Sequence, residues 1–299
     1  MFYQEPIYRP PSEANSLLIQ CSIGCSYKCS FCAMYRTKKF SIRALSDIKA
    51  DLVEGAQNDG EKVRKIFLLD GNAFLMHPRM IIEVCRTAFE LYANLQRIGC
   101  YAHAGDILRR SDEELSAIRQ AGLGIVYLGV ETGDDKLLHQ INKEATSDQI
   151  AQASQKLHKA GITLSATILL GLAGSQTDRS QRHARKTAEL INRMKPNSRL
   201  PWYVSALSYI PVPSTEMYED FHRGEFIPPE PPQLLSELGI FFDNLDDDLK
   251  GCIFRSNHAS NYLPLQSNEL GRDRFKLSQI IKNALKDSSM LRPDWMRGL

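Results

Sequence analysis

Six apolar runs recur along the sequence, and stretches with helical spacing separate them. The runs span residues 17–19, 65–69, 97–102, 124–130, 163–170 and 203–210. Between them, apolar side chains return every three or four positions, as in Ile48, Leu52 and Ala56, which is typical of amphipathic helices. The pattern therefore predicts strands and helices in alternation.

Capping residues place some of the helix ends. Ser111 and Glu114 fit a capping box, and Gly122 closes the helix that follows. Ser147 and Gly161 bracket the next helix in the same way. Alternating strands and helices predict an α/β fold with a parallel sheet and right-handed crossovers. Near-continuous apolar strands favour a sheet that is covered on both faces or curled into a barrel.

Three cysteines with the spacing C-x3-C-x2-C follow the first predicted strand. Cys25, Cys29 and Cys32 offer three thiolates from one loop, whereas a [4Fe-4S] cluster normally takes four. Such a loop would leave one iron with an open coordination position. Two other interpretations stay open on the residues alone. Cys21 would complete a four-cysteine zinc site, or all three thiols are buried and inert.

Polar and glycine residues follow several other predicted strands. In a βα architecture, chemistry collects where the strands end. Asp70-Gly71-Asn72 follows the second strand, Glu131 ends the fourth, and residues 170–174 and 211–215 follow the fifth and sixth. We therefore expect these segments and the cysteine loop to face one cavity.

The cysteine loop resembles the signature of the radical S-adenosylmethionine (SAM) superfamily, including Phe31 before the last cysteine. The resemblance covers residues 14 to 215, although Asp70-Gly71-Asn72 stands where the family usually has a Gly-Gly-Glu-type stretch. It implies a partial (β/α)6 TIM-like barrel, in which Cys25, Cys29 and Cys32 hold a [4Fe-4S] cluster whose fourth iron binds SAM. The SAM contacts that it implies are Phe31, Asp70, Gly71, Asn72, Glu131, Leu170, Gly171 and Leu172.

The resemblance also implies the reaction. The reduced cluster would cleave SAM to methionine and a 5′-deoxyadenosyl radical, which abstracts hydrogen from a substrate that the sequence does not identify. A flavodoxin- or ferredoxin-type protein would donate the electron. The alternative is a non-catalytic iron–sulfur or zinc protein that serves as an electron carrier or an interaction module.

Two domains are expected: a core barrel over residues 1–215 and a helical and loop extension over 216–299 that covers the barrel mouth. Within the extension, the segment Phe254–Leu263 is rich in polar residues. We predict that Arg255 binds a substrate anion and that His258 or Tyr262 handles a proton or a radical. A loop that caps the barrel with its own internal hydrogen bonds explains the same residues.

Composition adds limits on location and partners. The chain has 299 residues, 43% of them hydrophobic, and a formal net charge of +2. This charge gives no reason to expect a nucleic-acid partner. No apolar run approaches the ~20 residues of a membrane-spanning helix, and no leader pattern is visible. Seven irregularly spaced cysteines do not resemble a disulfide framework. We therefore predict a cytoplasmic enzyme without a membrane partner.

Overall fold

Strands and helices alternate along the chain, as the apolar pattern predicts. The computed structural model describes residues 1–197 and 200–297. The strands are β1 (Leu17–Gln20), β2 (Ser22–Ile23), β3 (Ser41–Ile42), β4 (Lys65–Leu69), β5 (Arg97–Ala102), β6 (Leu123–Glu131), β7 (Thr163–Leu170), β8 (Trp202–Ser208), β9 (Cys252–Arg255) and β10 (Gln266–Ser267). The helices are α1 (Leu45–Asp59), α2 (Pro78–Leu91), α3 (Ala104–Leu108), α4 (Asp112–Gln120), α5 (Asp135–Gln140), α6 (Ser147–Lys159), α7 (Thr177–Met194), α8 (Glu216–His222), α9 (Pro231–Asp243) and α10 (Leu270–Lys286).

Eight strands form one sheet in the order β1-β4-β5-β6-β7-β8-β9-β10. Neighbouring strands run parallel in β1/β4, β4/β5, β5/β6, β7/β8 and β8/β9. The last pair, β9/β10, is antiparallel. In the described part of the chain, β10 does not pair with β1, so the sheet is open. A mostly parallel sheet confirms the predicted α/β class. Strands β2 and β3 form a separate antiparallel pair.

Burial explains why the six predicted strands form. Ile66, Phe67, Leu68 and Leu69 of β4 are each at most 1% exposed, so both faces of this strand are covered. Burying each such side chain contributes about 1.5–3 kcal/mol. Consecutive apolar residues therefore mark strands of this kind. The capping box at Ser111 is present and begins α4, which confirms that prediction.

The chain divides into two compact units. The first comprises residues 1–28, 34–128 and 156–164, and the second comprises residues 29–33, 129–155 and 165–299. The boundary predicted between residues 215 and 216 stays a prediction, and residues 298 and 299 of the predicted extension lie outside the described residues. No helix in the described ranges is long and apolar enough to span a bilayer.

In the second unit, α9 packs against α7 and α10. The apolar residues over 234–249 keep a helical spacing, but α9 ends earlier, at Asp243. Leu245 and Leu249 continue the apolar spacing and are buried, although they lie beyond the helix end. The last α-helix of the described residues is α10, whose apolar residues Leu277 and Ile281 are buried.

Candidate functional site

The cysteine loop follows β1 and β2 directly. Cys25 and Cys32 are half-buried, and Cys29 is 9% exposed. The Cys32 N–H donates to the Cys29 carbonyl at 3.1 Å, which closes a tight turn between these residues. In the part of the chain that the structure describes, no three His, Cys, Asp or Glu side chains form a group that holds a metal ion. The ligand assignment therefore rests on the cysteine spacing.

In the first unit, Asp70 anchors the residue that precedes Cys25. Its Oδ2 accepts hydrogen bonds from the Gly24 N–H at 2.9 Å and from the Lys38 ammonium at 2.8 Å. The Lys38 and Asp70 side chains are 1% and 0% exposed, so each buried charge compensates the other. Asp70 thus fixes the start of the cysteine loop, while its predicted contact with SAM stays a prediction. Sequence reasoning missed Lys38.

Gly71 lies next to the loop as well. Its N–H donates to the Gly24 carbonyl at 3.1 Å. A Cβ atom at position 71 would lie 2.9 Å from the Cys25 Cβ and 2.7 Å from a ring carbon of Tyr35. A side chain here would therefore displace Cys25, and a glycine is needed for this close approach.

Asn72 presents an amide oxygen that accepts no hydrogen bond. Its Nδ2 donates to Ser26 Oγ at 2.9 Å and to Asp106 Oδ2 at 2.6 Å, and Asp106 also accepts from Arg109. Because the Asp106 carboxylate only accepts, the Asn72 NH₂ group must face it. Asn72 Oδ1 is buried and has no donor in the described residues. Such a group costs about 1–3 kcal/mol, so this oxygen suits a donor on a bound molecule.

In the second unit, Glu131 and Lys143 form a buried ion pair. The Lys143 Nζ lies 2.8 Å from Glu131 Oε1, and the two side chains are 8% and 9% exposed. Glu131 ends β6 with a φ of +62°, which is uncommon outside glycine. Burial lowers the pKa of Lys143, but Glu131, Cys29 and Cys32 raise it more, so its net pKa is raised. Lys143 therefore stays protonated, and its positive charge interacts with Cys29 and Cys32 of the loop.

The cysteine loop also makes backbone contacts within the second unit. The Ser30 N–H donates to the Ile141 carbonyl at 2.9 Å, and the Ser30 carbonyl accepts from the Met217 N–H at 3.2 Å. Ile141 is two residues before Lys143. These bonds hold the part of the loop with Cys29 and Cys32 near the segment that carries Lys143, which sequence reasoning missed.

The segment after β7 lies against an apolar cluster. Gly171 has a φ of +78°, and its N–H donates to Glu237 Oε1 at 2.7 Å. The Phe31 ring packs edge-on against Tyr209, with ring centroids 6.4 Å apart. The cluster includes Leu169 and Leu172, which flank Leu170 and Gly171 in the sequence. Its buried members are Leu137, Ile141, Leu169, Leu172, Ala173, Tyr209 and Met217, and Phe31, Leu207 and Phe226 pack against them. Phe31, Leu172 and the Gly171 segment therefore share one region of the second unit.

The three predicted catalytic residues contact their neighbours in the extension. Arg255 donates to the Phe254 and Ser267 carbonyls, each at 2.7 Å, and to Asn268. His258 Nδ1 lies 2.9 Å from Ser260 Oγ, and burial lowers the pKa of His258.

The guanidinium of Arg297 lies 3.6 Å from the centre of the Tyr262 ring. The structure thus places Arg255, His258 and Tyr262 among internal hydrogen bonds and ring contacts of the extension. Their roles toward a substrate stay predictions.

The other cysteines are fully buried thiols: Cys21, Cys85, Cys100 and Cys252. Burial raises the pKa of Cys21 and Cys100 well above the ordinary value, and raises that of Cys85 to about 12. Burial therefore favours the neutral form of these three thiols in the metal-free protein.

A mostly parallel α/β sheet with a three-cysteine loop after its first strand defines a class of cluster-binding enzymes. The sequence matches the radical SAM superfamily over residues 19–185. The chain belongs to this superfamily. Its members are enzymes that use a [4Fe-4S] cluster and SAM, which confirms the predicted family and both cofactors.

Individual relatives agree with this family. The anaerobic magnesium-protoporphyrin IX monomethyl ester cyclase of Rubrivivax gelatinosus is 29% identical over 211 residues, which cover 69% of this chain and 36% of that protein. The chain spans about a third of the length of the curated relatives it matches.

Two solved structures share the fold. Coproporphyrinogen III oxidase from Escherichia coli, a radical SAM enzyme, has a TM-score of 0.53 at 17% identity, covering 75% of this chain and 50% of that one. Methylornithine synthase has a TM-score of 0.51 at 17% identity, covering 77% and 63% of the two chains.

The residues present fit the two cofactors. Three cysteines supply thiolates, and the Lys143 cation offsets the charge of two of them. The Asn72 amide oxygen lacks a donor, and SAM carries an ammonium group that can donate. Each of these chemical features, taken by itself, suits one of the two cofactors.

Proposed function

We propose that this chain is a radical SAM enzyme that starts its reaction by reductive cleavage of SAM and acts on a substrate still to be identified. The observation that carries the proposal is the C-x3-C-x2-C loop within the superfamily match over residues 19–185. Cys25, Cys29 and Cys32 would hold the [4Fe-4S] cluster. When bound and reduced, the cluster supplies the electron that splits SAM into methionine and a 5′-deoxyadenosyl radical, which takes hydrogen from the substrate.

The residues of the first unit have two tasks in this proposal. Asp70 and Lys38 fix the backbone that leads into Cys25. Asn72 would accept a hydrogen bond from the amino group of SAM through its Oδ1, which is buried and accepts none from the described residues. Gly71 keeps space open beside Cys25.

Residues of the second unit have a further task in this proposal. Glu131, which Lys143 pairs with, would contact the polar part of SAM. The backbone of residues 170–172 would hold the adenine. Phe31 stands on the cysteine loop and packs toward the same apolar cluster as Leu172, where it shields the site from water.

Anaerobic reconstitution tests the proposal. The purified protein should bind about four irons and four sulfides per chain. With dithionite and SAM it should release 5′-deoxyadenosine and methionine, which chromatography with mass detection quantifies. A colourless protein that holds zinc and leaves SAM intact would instead support a non-catalytic metal protein.

Matched cysteine variants sharpen this test. Substituting Cys25, Cys29 or Cys32 with Ala should remove both the cluster and SAM cleavage. Cys21→Ala should spare both, since the Cys21 thiol is buried and its pKa is raised. Loss of iron in Cys21→Ala alone would refute the ligand assignment.

The reaction needs an electron and a substrate. We propose a flavodoxin- or ferredoxin-type protein as the electron donor. In the extension, we keep Arg255, His258 and Tyr262 as candidates for substrate contact. Arg255→Ala and His258→Ala should then lower hydrogen transfer from substrate while uncoupled SAM cleavage continues, as deuterium transfer from a labelled metabolite extract into deoxyadenosine would show. Equal coupling in the variants and the wild type would refute these roles.

A further inference from the structure

Glu237 is a buried carboxylate that lies outside the residues matched by the family. It belongs to α9 and is 1% exposed. Its Oε1 accepts the Gly171 N–H at 2.7 Å, and its Oε2 accepts the Ser180 hydroxyl at 2.5 Å. One carboxylate of the extension therefore binds both the segment after β7 and the first turn of α7.

His183 extends this network to the end of β6. The ring is 2% exposed. Its Nε2 lies 3.1 Å from the Leu169 carbonyl and 3.4 Å from Glu237 Oε1, and its Nδ1 lies 2.7 Å from Thr132 Oγ1. A carbonyl oxygen only accepts, so Nε2 carries a hydrogen. Thr132 directly follows Glu131, so the network reaches two segments that the proposed function assigns to SAM.

Packing around Gly171 leaves its backbone little freedom. A Cβ atom there would lie 2.8 Å from Leu234 and 2.9 Å from Pro229, both in or beside α9. The Gln233 side chain also donates to the Ser175 carbonyl at 3.0 Å. The extension thus holds residues 171–175 by side-chain packing and by hydrogen bonds.

We propose that Glu237 is a positioning residue for SAM. It fixes the Gly171 backbone along which the adenine lies and, through His183, the end of β6 next to Glu131. The inference rests on the proposed function and deepens it, because it makes the extension part of the cofactor site. A buried carboxylate must be matched by hydrogen-bond donors. The two donors to Glu237, the Gly171 N–H and the Ser180 hydroxyl, both follow β7 in the sequence.

The test compares Glu237→Ala, Glu237→Gln and the wild type as reconstituted protein. Glu237→Ala should raise the dissociation constant and the KM for SAM about tenfold, as expected for one lost buried hydrogen bond to a charged group. The kcat for deoxyadenosine release should change by less than about threefold. Deuterium should exchange faster in the peptide that contains Gly171. Glu237→Gln keeps an acceptor for the Gly171 N–H and should recover most of the affinity.

Glu13→Gln is the matched control. Glu13 is also fully buried and accepts from Tyr127 and from Arg97, the first residue of β5, none of which is assigned to SAM. The Glu13→Gln variant should unfold at a lower temperature than the wild type but bind SAM with the same affinity. If Glu237→Ala does not fold, Ser180→Ala loosens the same carboxylate and should weaken SAM binding about threefold.

Unchanged SAM affinity and unchanged exchange at Gly171 in folded Glu237 and Ser180 variants would overturn the inference alone, provided that the wild type binds SAM. An equal loss of affinity in Glu13→Gln would also overturn it, because general destabilisation would then explain the effect. A wild-type protein that neither binds nor cleaves SAM would overturn the proposed function, and the inference with it.

Discussion

Replacing Lys143 with Met would leave the buried carboxylate of Glu131 without its cation. At the 2.8 Å separation of Lys143 Nζ and Glu131 Oε1, and with an effective dielectric constant of ~20, the attraction is about 6 kcal/mol. Part of this attraction only offsets the free-energy cost of removing both charged groups from water. Breaking a buried pair on one side typically costs about 3–5 kcal/mol, and we expect Lys143→Met to lose that amount of unfolding free energy.

Guanidinium denaturation of the metal-free, reduced protein measures this loss. The control is Lys186→Met, because Lys186 lies 2.6 Å from Glu189 but both side chains are about half exposed. An exposed pair contributes about 0–1 kcal/mol, so this control should unfold nearly as the wild type does. Adding Glu131→Gln to Lys143→Met removes the orphaned charge and should restore most of the stability. A Lys143→Met variant that is no less stable than Lys186→Met would show that the buried pair does not stabilise the fold.

Three more predictions follow from burial and close packing. Gly71→Ala should lower the iron content, since its Cβ would meet Cys25 and the Tyr35 ring below 3.0 Å; iron analysis at equal protein shows this, and a full iron complement would contradict it. Iodoacetamide should label Cys25 and Cys32 of the metal-free native protein before the four fully buried thiols Cys21, Cys85, Cys100 and Cys252, and labelling in the reverse order by mass spectrometry would contradict the described burial. Burial lowers the pKa of His258 below its ordinary value of ~6.5, so the folded protein favours the neutral ring. The stability that this ring contributes is present above pH ~6.5 and should be lost as the pH falls through the folded-state pKa. His258→Asn should flatten this decline in a series of thermal midpoints, and an unchanged pH profile would contradict the prediction.

The strands of the sheet were predictable because burial acts on consecutive residues. The run over residues 65–69 is the strand β4, and that over 163–170 is β7. The strands β9 and β10 could not be predicted, since four and two residues are too short to show a period. The helical spacing of apolar residues continues to Leu249, past the end of α9 at Asp243, because Leu245 and Leu249 are buried although they are not helical.

The cysteine loop could be singled out from its spacing and from its resemblance to the family signature, but the charged residues around it could not. Lys38 meets Asp70 across 32 residues, and Glu237 meets Gly171 across 66. A lysine or glutamate in a helical or loop stretch has the same sequence signal whether it is solvated or buried. Only the fold decides which charges are paired, so Lys38, Lys143, His183 and Glu237 emerge from the structure alone.

If Cys25, Cys29 and Cys32 hold the cluster, its fourth iron is open to SAM. Electron nuclear double resonance of the reduced, reconstituted protein can detect this binding when SAM carries ¹⁵N at its amino group. We expect a ¹⁵N coupling to the cluster that is absent without the label. A cluster without this coupling, and with a protein side chain on its fourth iron, would show that SAM does not bind there.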